Sequence, residues 1–221
     1  MDERKAKRGQ GLVEFAIMLP ILLLLLIGLA ELGFLLRDYL VVVNADREGC
    51  RYAARGRYSD ELIVERVVSA GGVVRREDAE GDEIDVPFLR VFGTEANAGV
   101  IVTHVALSAT GEIISYTTYH EGVVADGAGG TRPIDPVVDT VISRVQISNT
   151  QGSTTQDIAT LRAAGGFMPI ERHRIVVVEV FFIHRPIWGN MLNTLSFGAV
   201  PGDPWPMNAM TEMRVVTDRE G

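Results

Sequence analysis

The feature that most constrains this chain is an almost unbroken apolar run near its N-terminus. The run extends over 22 residues, from Phe15 to Leu36, and Glu31 is its only charged residue. A helix rises about 1.5 Å per residue, so about 20 residues cross the roughly 30 Å hydrocarbon core of a bilayer. The run is long enough to span a membrane, and we expect it to act as an anchor.

A cleaved export signal is the weaker interpretation of this run. Signal peptides have an apolar stretch of about 7–15 residues followed by a cleavage site made of small residues. Here the stretch is longer, and Arg37, Asp38 and Tyr39 follow it. The run is preceded by four basic residues, Arg4, Lys5, Lys7 and Arg8. By the positive-inside rule, we expect a single-pass protein with a cytoplasmic N-terminus and an extracytoplasmic C-terminal domain, at the cell surface or in the periplasm.

The charge of the remaining chain restricts its partners. The chain carries −8 overall, and residues 1–9 contribute four bases and two acids, so the rest carries −10. Nucleic-acid binding needs a basic face, so an acidic outer part argues against that partner. Cys50 is the only cysteine, which excludes an intrachain disulfide. We expect it to be a small packed residue; an intermolecular disulfide or lipid attachment are the alternatives.

The residue pattern predicts an α+β fold in three parts. Residues 1–9 form a cytoplasmic basic leader, residues 10–57 a transmembrane and amphipathic stalk helix, and residues 58–221 an extracytoplasmic α+β domain with an antiparallel sheet. The helix itself is expected over Leu12–Arg57, because strong helix formers dominate it and membrane helices tolerate glycine and proline.

The outer domain is predicted to alternate short strands with two or three helical segments. His173–His184 is the strongest strand, and its apolar residues on both faces predict a central position covered by a helix on one side. The other predicted elements are a short helix from Ser59 or Asp60 to Val68, strands at Phe88–Phe92, Val100–Leu107, Glu112–Tyr119 and Val137–Ser148, a loop over residues 121–136, a helix at Thr154–Ala164, a helix or loop at Ile187–Leu195, and a strand at Ala209–Thr217.

The sequence carries no pattern typical of catalysis or of cofactor and metal binding. It has no G-x-S-x-G, P-loop or glycine-rich nucleotide motif, and its four histidines are scattered without ligand spacing. The loop from Asp126 to Asp139 lacks the regular acidic spacing of a calcium loop. We therefore expect no enzymatic activity, no cofactor and no metal. Trp188, Phe197 and Trp205 are expected to fill the core rather than form an exposed binding patch.

The segment Gly9–Phe15 (GQGLVEF) resembles the processing site of type IV pilin-like precursors. In those precursors a prepilin peptidase cuts after a glycine, and a glutamate is the fifth residue of the mature chain. The resemblance implies cleavage between Gly9 and Gln10, which makes Glu14 the fifth residue. The longer segments Arg8–Gly33 and Asn44–Gly56 are similar to the TadE/TadG-like family of the tight-adherence (Tad) pilus system. Two positions that are usually small in that family are Asp46 and Cys50 here.

The resemblance implies a minor pilin or pseudopilin of a Tad (type IVc) pilus, acting by membrane insertion and helix-mediated assembly. Its implied partners are other pilin-like subunits, the Tad secretion platform, prepilin peptidase and membrane lipid. The alternative is a single-span, membrane-anchored extracellular binding or adhesion module that is not part of a fibre.

Four residues of the run are candidates for assembly. Glu14 and Phe15 lie at its start, and the resemblance implies that Glu14 neutralises the N-terminal amine of a neighbouring subunit; the alternative is a carboxylate solvated at the interface. Pro20 and Glu31 are candidates for helix packing or partner contact. Pro20 is otherwise a tolerated membrane proline, and Glu31 otherwise reaches the outer interface along its aliphatic stem.

Overall fold

A 51-residue helix and a five-stranded antiparallel sheet organise the chain. The computed structural model describes residues 3–55, 59–78, 81–107, 113–128, 130–140, 144–149, 152–157, 173–186 and 205–215. The elements, in chain order, are α1 Glu3–Ala53, α2 Asp60–Ala70, β1 Val73–Glu77, β2 Glu83–Pro87, β3 Ala98–Leu107, β4 Ile113–Ala125, β5 Thr131–Pro133, β6 Arg144–Asn149, β7 Gly152–Asp157, β8 His173–His184 and β9 Trp205–Arg214. The predicted α+β class, with a long N-terminal helix before an antiparallel sheet, is confirmed.

Helix α1 begins nine residues before the predicted start at Leu12 and ends at Ala53. Its first turns contain Glu, Arg, Lys and Ala, which are strong helix formers, and one glycine costs a helix only about 1 kcal/mol. Gly9 and Gln10 therefore lie inside the helix. Pro20 also lies inside it.

The main sheet has the strand order β5-β4-β3-β8-β9, and all of its neighbouring strands are antiparallel. The strands predicted at Val100–Leu107 and Glu112–Tyr119 are confirmed as β3 and β4, which pair with each other and place Val102 opposite Tyr119. Strand β8 lies between β3 and β9, so its predicted central position is confirmed as well. One bend in β4 requires glycine: Gly122 has φ +95°, and a Cβ there would collide with the Ala98 carbonyl.

The core lies between this sheet and the two helices. Alternate side chains of β8 point toward the helices, as the period of two along a strand requires. They are Val176, Val178, Val180 and Phe182. The helices contribute Val42, Ala45, Cys50, Ala53, Ile63, Val64 and Val67 to the same cluster. Cys50 is fully buried, which fits the predicted small packed residue.

The opposite face of the sheet is covered by the chain that follows β4. Ile101 packs there with Val124 and Ile134. Glu179 is fully buried on this face, and the Thr140 hydroxyl lies 3.0 and 2.8 Å from its two carboxylate oxygens. A buried carboxylate needs such donors, because burial without a partner costs several kcal/mol.

Several predicted elements of the outer domain were wrong. Phe88–Phe92 forms no strand. Phe88 lies in a bend and packs on the core by stacking on Phe182, with 4.8 Å between the ring centroids. The loop predicted over residues 121–136 contains the end of β4 and strand β5. Strands β1 and β2 were not predicted.

Two predicted elements in the middle of the chain differ from the structure. The strand predicted at Val137–Ser148 is confirmed over residues 144–148, which lie in β6, but not at its start. Residues 137–140 form no strand, because Asp135 and Asp139 hold them in a turn closed by a 2.8 Å bond from the Asp139 amide to the Asp135 carbonyl. Residues 154–157 lie in β7, paired with β6, and not in a helix. The remainder of that predicted helix, the segment Ile187–Leu195, and residues 188 and 197 lie outside the described residues.

Candidate functional site

The first half of α1 presents its apolar side chains to the surroundings. Between Leu12 and Leu29 every large apolar side chain except Ile27 is at least 39% exposed, and Leu12 reaches 71%. Apolar surface in water costs roughly 25 cal/mol per Å². This half of the helix is long and apolar enough to cross a membrane, and its most apolar window has no residue buried in the fold.

The second half of α1 is packed against the sheet domain. Burial begins at Glu31, which is 1% exposed, and continues through Asp38, Val42 and Ala45. The segment from Gly11 to Ala30 contains 20 residues and is about 30 Å long, which matches a hydrocarbon core. The sheet domain therefore begins where a membrane-spanning segment of that length would end.

Most of the sequence-predicted site residues lie on the exposed half of α1. The backbones of Gly9 and Gln10 are helical, and Glu14, Phe15 and Pro20 are exposed. Gln10 and Glu14 are four residues apart and so lie on one face of the helix, about 6 Å apart along its axis. The exposed side chains of Glu14, Phe15 and Pro20 are not packed on the described part of the sheet domain. The proposed roles of all five residues in processing and assembly stay predictions.

Glu31 is the exception, because the fold carries it into a buried polar cluster. His184, at the end of β8, lies between two carboxylates of α1: its Nδ1 is 2.8 Å from Asp38 Oδ2, and its Nε2 is 3.3 Å from Glu31 Oε1. Glu31 and Asp38 are seven residues apart, two helical turns, so they share a face. Glu31 thus has a partner within its own chain, and its contact with another subunit stays a prediction.

The charge of His184 follows from its two neighbours. The hydrogen bond to Asp38 raises the pKa of His184, burial opposes that shift, and the bond to Glu31 adds to it. An imidazolium can donate from both ring nitrogens, which matches two carboxylates on opposite sides. Sequence reasoning missed this cluster, since the histidines looked scattered; the only local signal was the spacing of Glu31 and Asp38 on one helix face.

An apolar groove lies beside this cluster at the same end of the domain. Its volume is about 380 Å³, and it runs between α1 and the start of β9. Its lining residues are Leu32, Leu35, Leu36, Tyr39, Trp205, Pro206 and Met207. The ring of Trp205 lies 6.0 Å from the ring of His184, so the groove and the polar cluster share a wall.

A third buried carboxylate lies farther along α1, about 24 Å beyond Ala30 and so outside the spanning segment. Asp46 is 1% exposed, and the hydroxyl of Thr211 on β9 donates to it. Burial raises the pKa of Asp46 to about 7; the Thr211 bond opposes the shift, and the charge of Glu179 adds to it.

Cys50 lies one turn beyond Asp46 and faces two backbone carbonyls. Its Sγ is 3.3 Å from the oxygen of Thr211 and 3.6 Å from that of Val176. Burial raises the pKa of the Cys50 thiol to about 12. Since the thiolate is the reactive form, this cysteine is arranged for packing.

The acidic residues of the loop after β4 serve the loop itself. Asp126 accepts hydrogen bonds from the amides of Ala128 and Gly130, at 2.8 and 2.9 Å, and Asp139 pairs with Arg132. Within the described parts of the chain, no group of three or more His, Cys, Asp or Glu residues is close enough to hold a metal ion.

Comparison with known proteins adds one finding. The family model described as TadE-like protein matches residues 9–51, which extend from the candidate processing site through the spanning and packed halves of α1. The resemblance expected from the sequence is confirmed over this range, and it associates the chain with the Tad pilus system. No curated protein and no solved structure matches the chain.

Proposed function

We propose, from the TadE-like match over residues 9–51, that this chain is a minor pilin or pseudopilin of a Tad pilus system. The observation that carries the proposal is the division of α1: one continuous helix has an exposed apolar half and a half packed on the sheet domain. The first half is available for lipid before assembly and for neighbouring helices after it. The second half fixes the outer domain to that helix.

In the proposed mechanism the chain inserts with its basic head in the cytoplasm and is cut between Gly9 and Gln10 by prepilin peptidase. The new amine of Gln10 would lie one helical turn from Glu14. A carboxylate at hydrocarbon depth is costly unless it is paired. Pairing of Glu14 with the amine of a neighbouring subunit would remove that cost on assembly, and Phe15 would pack beside it.

The role proposed for the chain is structural and requires no catalytic residue. Other pilin-like subunits and the secretion platform would be bound by the exposed half of α1. The sheet domain, which lies almost wholly beyond the family match, would face the extracytoplasmic side and present the surface that distinguishes this subunit from others.

Mass spectrometry of the protein extracted from membranes tests the processing step. We expect a mature chain that begins at Gln10. Gly9→Leu should abolish the cut, because the peptidase pocket would have to accept a bulky side chain. Gly11→Leu is the matched control, since a Cβ at Gly11 meets no atom within 4 Å. An intact Met1 in the wild-type protein, isolated from cells with an active prepilin peptidase, would exclude processing.

A second pair of variants separates assembly from processing. Glu14→Leu should leave the cut intact but reduce recovery of the protein with sheared pili. Glu14→Gln tests whether the charge, rather than the size, is needed. If Glu14→Leu assembles as the wild type does, the chain is better described by the alternative function, a single-span binding or adhesion module outside the fibre.

A further inference from the structure

We propose that the membrane-facing edge of the sheet domain rests on the bilayer surface, with the groove between α1 and β9 occupied by phospholipid acyl chains and Trp205 lying among the lipid carbonyl groups. This interface would be formed by the protein before any assembly. The inference rests on membrane insertion of α1, and it does not require the pilus role.

The position of the groove along α1 places it at the border of the membrane. Leu32 and Leu36 lie about 3 and 9 Å beyond Ala30, where a span that began at Gly11 would leave the hydrocarbon core. The polar interfacial layer adds about 5–8 Å on each side of that core. Leu32 therefore lies inside the interfacial layer, and Leu36 lies at its outer edge.

The apolar surface of the groove is continuous with that of the span. Leu25, Leu29, Leu32 and Leu36 follow one another at intervals of three or four residues, so they form one stripe of α1. All four are exposed, Leu32 and Leu36 at 60% and 58%. Acyl chains that cover the first part of the stripe would therefore meet a continuous apolar surface as far as the groove.

The aromatic residues of the groove have the chemistry of an interfacial belt. Trp205 and Tyr39 each combine an apolar ring with one polar group, and such residues are enriched where lipid carbonyls meet hydrocarbon. Tyr39 is 45% exposed, and Trp205 is half-buried. Trp205, at the start of β9, therefore lies at the same depth as the end of the leucine stripe, and its side chain is amphipathic.

The sheet domain is fixed at this level by the buried polar cluster. Register pairs His184 with Trp205 across β8 and β9, and His184 bonds both Glu31 and Asp38 of α1. Insertion of α1 to the depth of Ala30 therefore brings Trp205 to the surface in a defined position, and the domain has no free linker there on which to move away.

Charge at this edge favours phospholipid over a neighbouring apolar peptide as the occupant. Arg37 follows the run, and Arg185 follows His184; both are exposed. They lie at the membrane-facing edge of a domain whose sequence is acidic overall. Arginine side chains at that level can donate to lipid phosphates, while the groove beside them takes the chains.

Tryptophan fluorescence of the full chain in phosphatidylcholine nanodiscs tests the proposal. Trp205 becomes the only tryptophan in Trp188→Phe. We expect Trp205 to lose more than half of its emission in lipid brominated near the glycerol end of the acyl chains. Bromination near the methyl end should quench it less. If Trp188→Phe lowers the thermal midpoint, the difference between the wild type and Trp205→Phe gives the same signal.

Two further tryptophans, each in the Trp188→Phe, Trp205→Phe background, serve as controls. Met210 lies five residues beyond Trp205 on β9, about 17 Å farther from the membrane. A tryptophan introduced there by Met210→Trp should not be quenched. Leu22→Trp should be quenched most by bromine near the methyl end. Equal quenching of Trp205 and Met210→Trp would overturn the proposal. An unquenched tryptophan in Leu22→Trp would also overturn it, because it would show that α1 is not inserted in the bilayer. Failure of processing or pilus incorporation would leave it intact.

Discussion

At the scale of single residues, four buried ionisable groups tie the helix to the sheet. His184 links β8 to Glu31 and Asp38, and Thr211 of β9 links to Asp46. Each link joins residues more than a hundred positions apart in the chain. Removing one partner from such a buried set leaves an uncompensated charge, which costs about 3–5 kcal/mol. These residues therefore decide how firmly α1 holds the domain.

His184 should make the stability of the domain depend on pH. Its pKa is higher in the folded state than its ordinary 6.5, so its contribution is complete below pH 6.5 and is lost as pH rises through the folded pKa. We expect the thermal midpoint in detergent micelles to fall over that range. His184→Gln should lower the midpoint and remove this fall. His120→Gln, at an exposed histidine, is the control; a pH profile unchanged by His184→Gln would contradict the assignment.

Asp46 should also make the domain less stable as pH rises, over a lower pH range than His184 does. Its carboxyl binds a proton more tightly in the folded state, with pKa about 7, than in the unfolded state at 3.8. Folding is therefore weakened progressively between pH 3.8 and 7 and fully above it. Asp46→Asn keeps an acceptor for Thr211 and should raise the unfolding free energy at pH 8 by about 1–3 kcal/mol. Chemical denaturation at pH 5 and pH 8 measures this; a gain no larger at pH 8 would count against it.

The residue-level site was only partly predictable from the sequence. The position of Glu14 and Phe15 on an exposed apolar segment follows from hydropathy alone. The fate of Glu31 does not, because its partner His184 is 153 residues away, and its position follows from the pairing of β8 in the sheet. The groove was missed for the same reason: Trp205 meets Tyr39 only after β9 has joined β8.

At the scale of elements, the crossing of α1 and α2 depends on one glycine. A Cβ at Gly49 would collide with the side chain of Val67, which is fully buried. Gly49 therefore permits the close approach of the two helices, and its helix-weakening effect is offset by the packing of α2 into the core.

Gly49→Ala should destabilise the domain by about 1–3 kcal/mol, because a packed interface must open to accept the methyl group. Gly33→Ala is the matched control on the same helix, since a Cβ at Gly33 meets nothing within 4 Å. We expect that change to be neutral or slightly stabilising through helix propensity. Urea or thermal unfolding of the two variants makes the comparison, and equal midpoints would contradict the role given to Gly49.

Elements with a strong local pattern were predictable, and those made by pairing were not. Strand β8 is almost wholly apolar, and β3 with β4 has the β-branched composition of a hairpin. Strands β1 and β2 carry charged residues on a largely exposed surface, so no apolar alternation marks them. Strand β7 contains Thr154 and Thr155, which suit a helix cap or a strand equally, and its pairing with β6 makes it a strand.

At the scale of the whole molecule, one helix divides the protein into a lipid-facing part and a folded part. The family match follows the helix, and the sheet domain extends far beyond the match. The α+β class and the anchor could be predicted because both depend on local hydropathy. The strand order could not, because it depends on pairings between β3, β8 and β9 that no local pattern encodes.

The orientation proposed for the molecule can be measured with single cysteines in a Cys50→Ala background. Val138→Cys, at a residue 70% exposed, should react with a membrane-impermeant maleimide in intact spheroplasts. Lys5→Cys, combined with Gly9→Leu so that the leader stays attached, should react only after lysis, because the basic head is retained on the cytoplasmic side. Cys50→Ala alone is the blank. Labelling in the reverse order would show the opposite topology.

The continuity of α1 has a mechanical consequence. A pull on the membrane end of this helix is not absorbed by a linker, because the same helix enters the core. The load passes in shear across the surface between α1 and the strands β8 and β9. The contacts of His184 with Glu31 and Asp38 are nearest the point of traction, so they would be strained first, ahead of Asp46 and Cys50. Resistance to extraction from the membrane and resistance to unfolding are therefore coupled through one continuous helix.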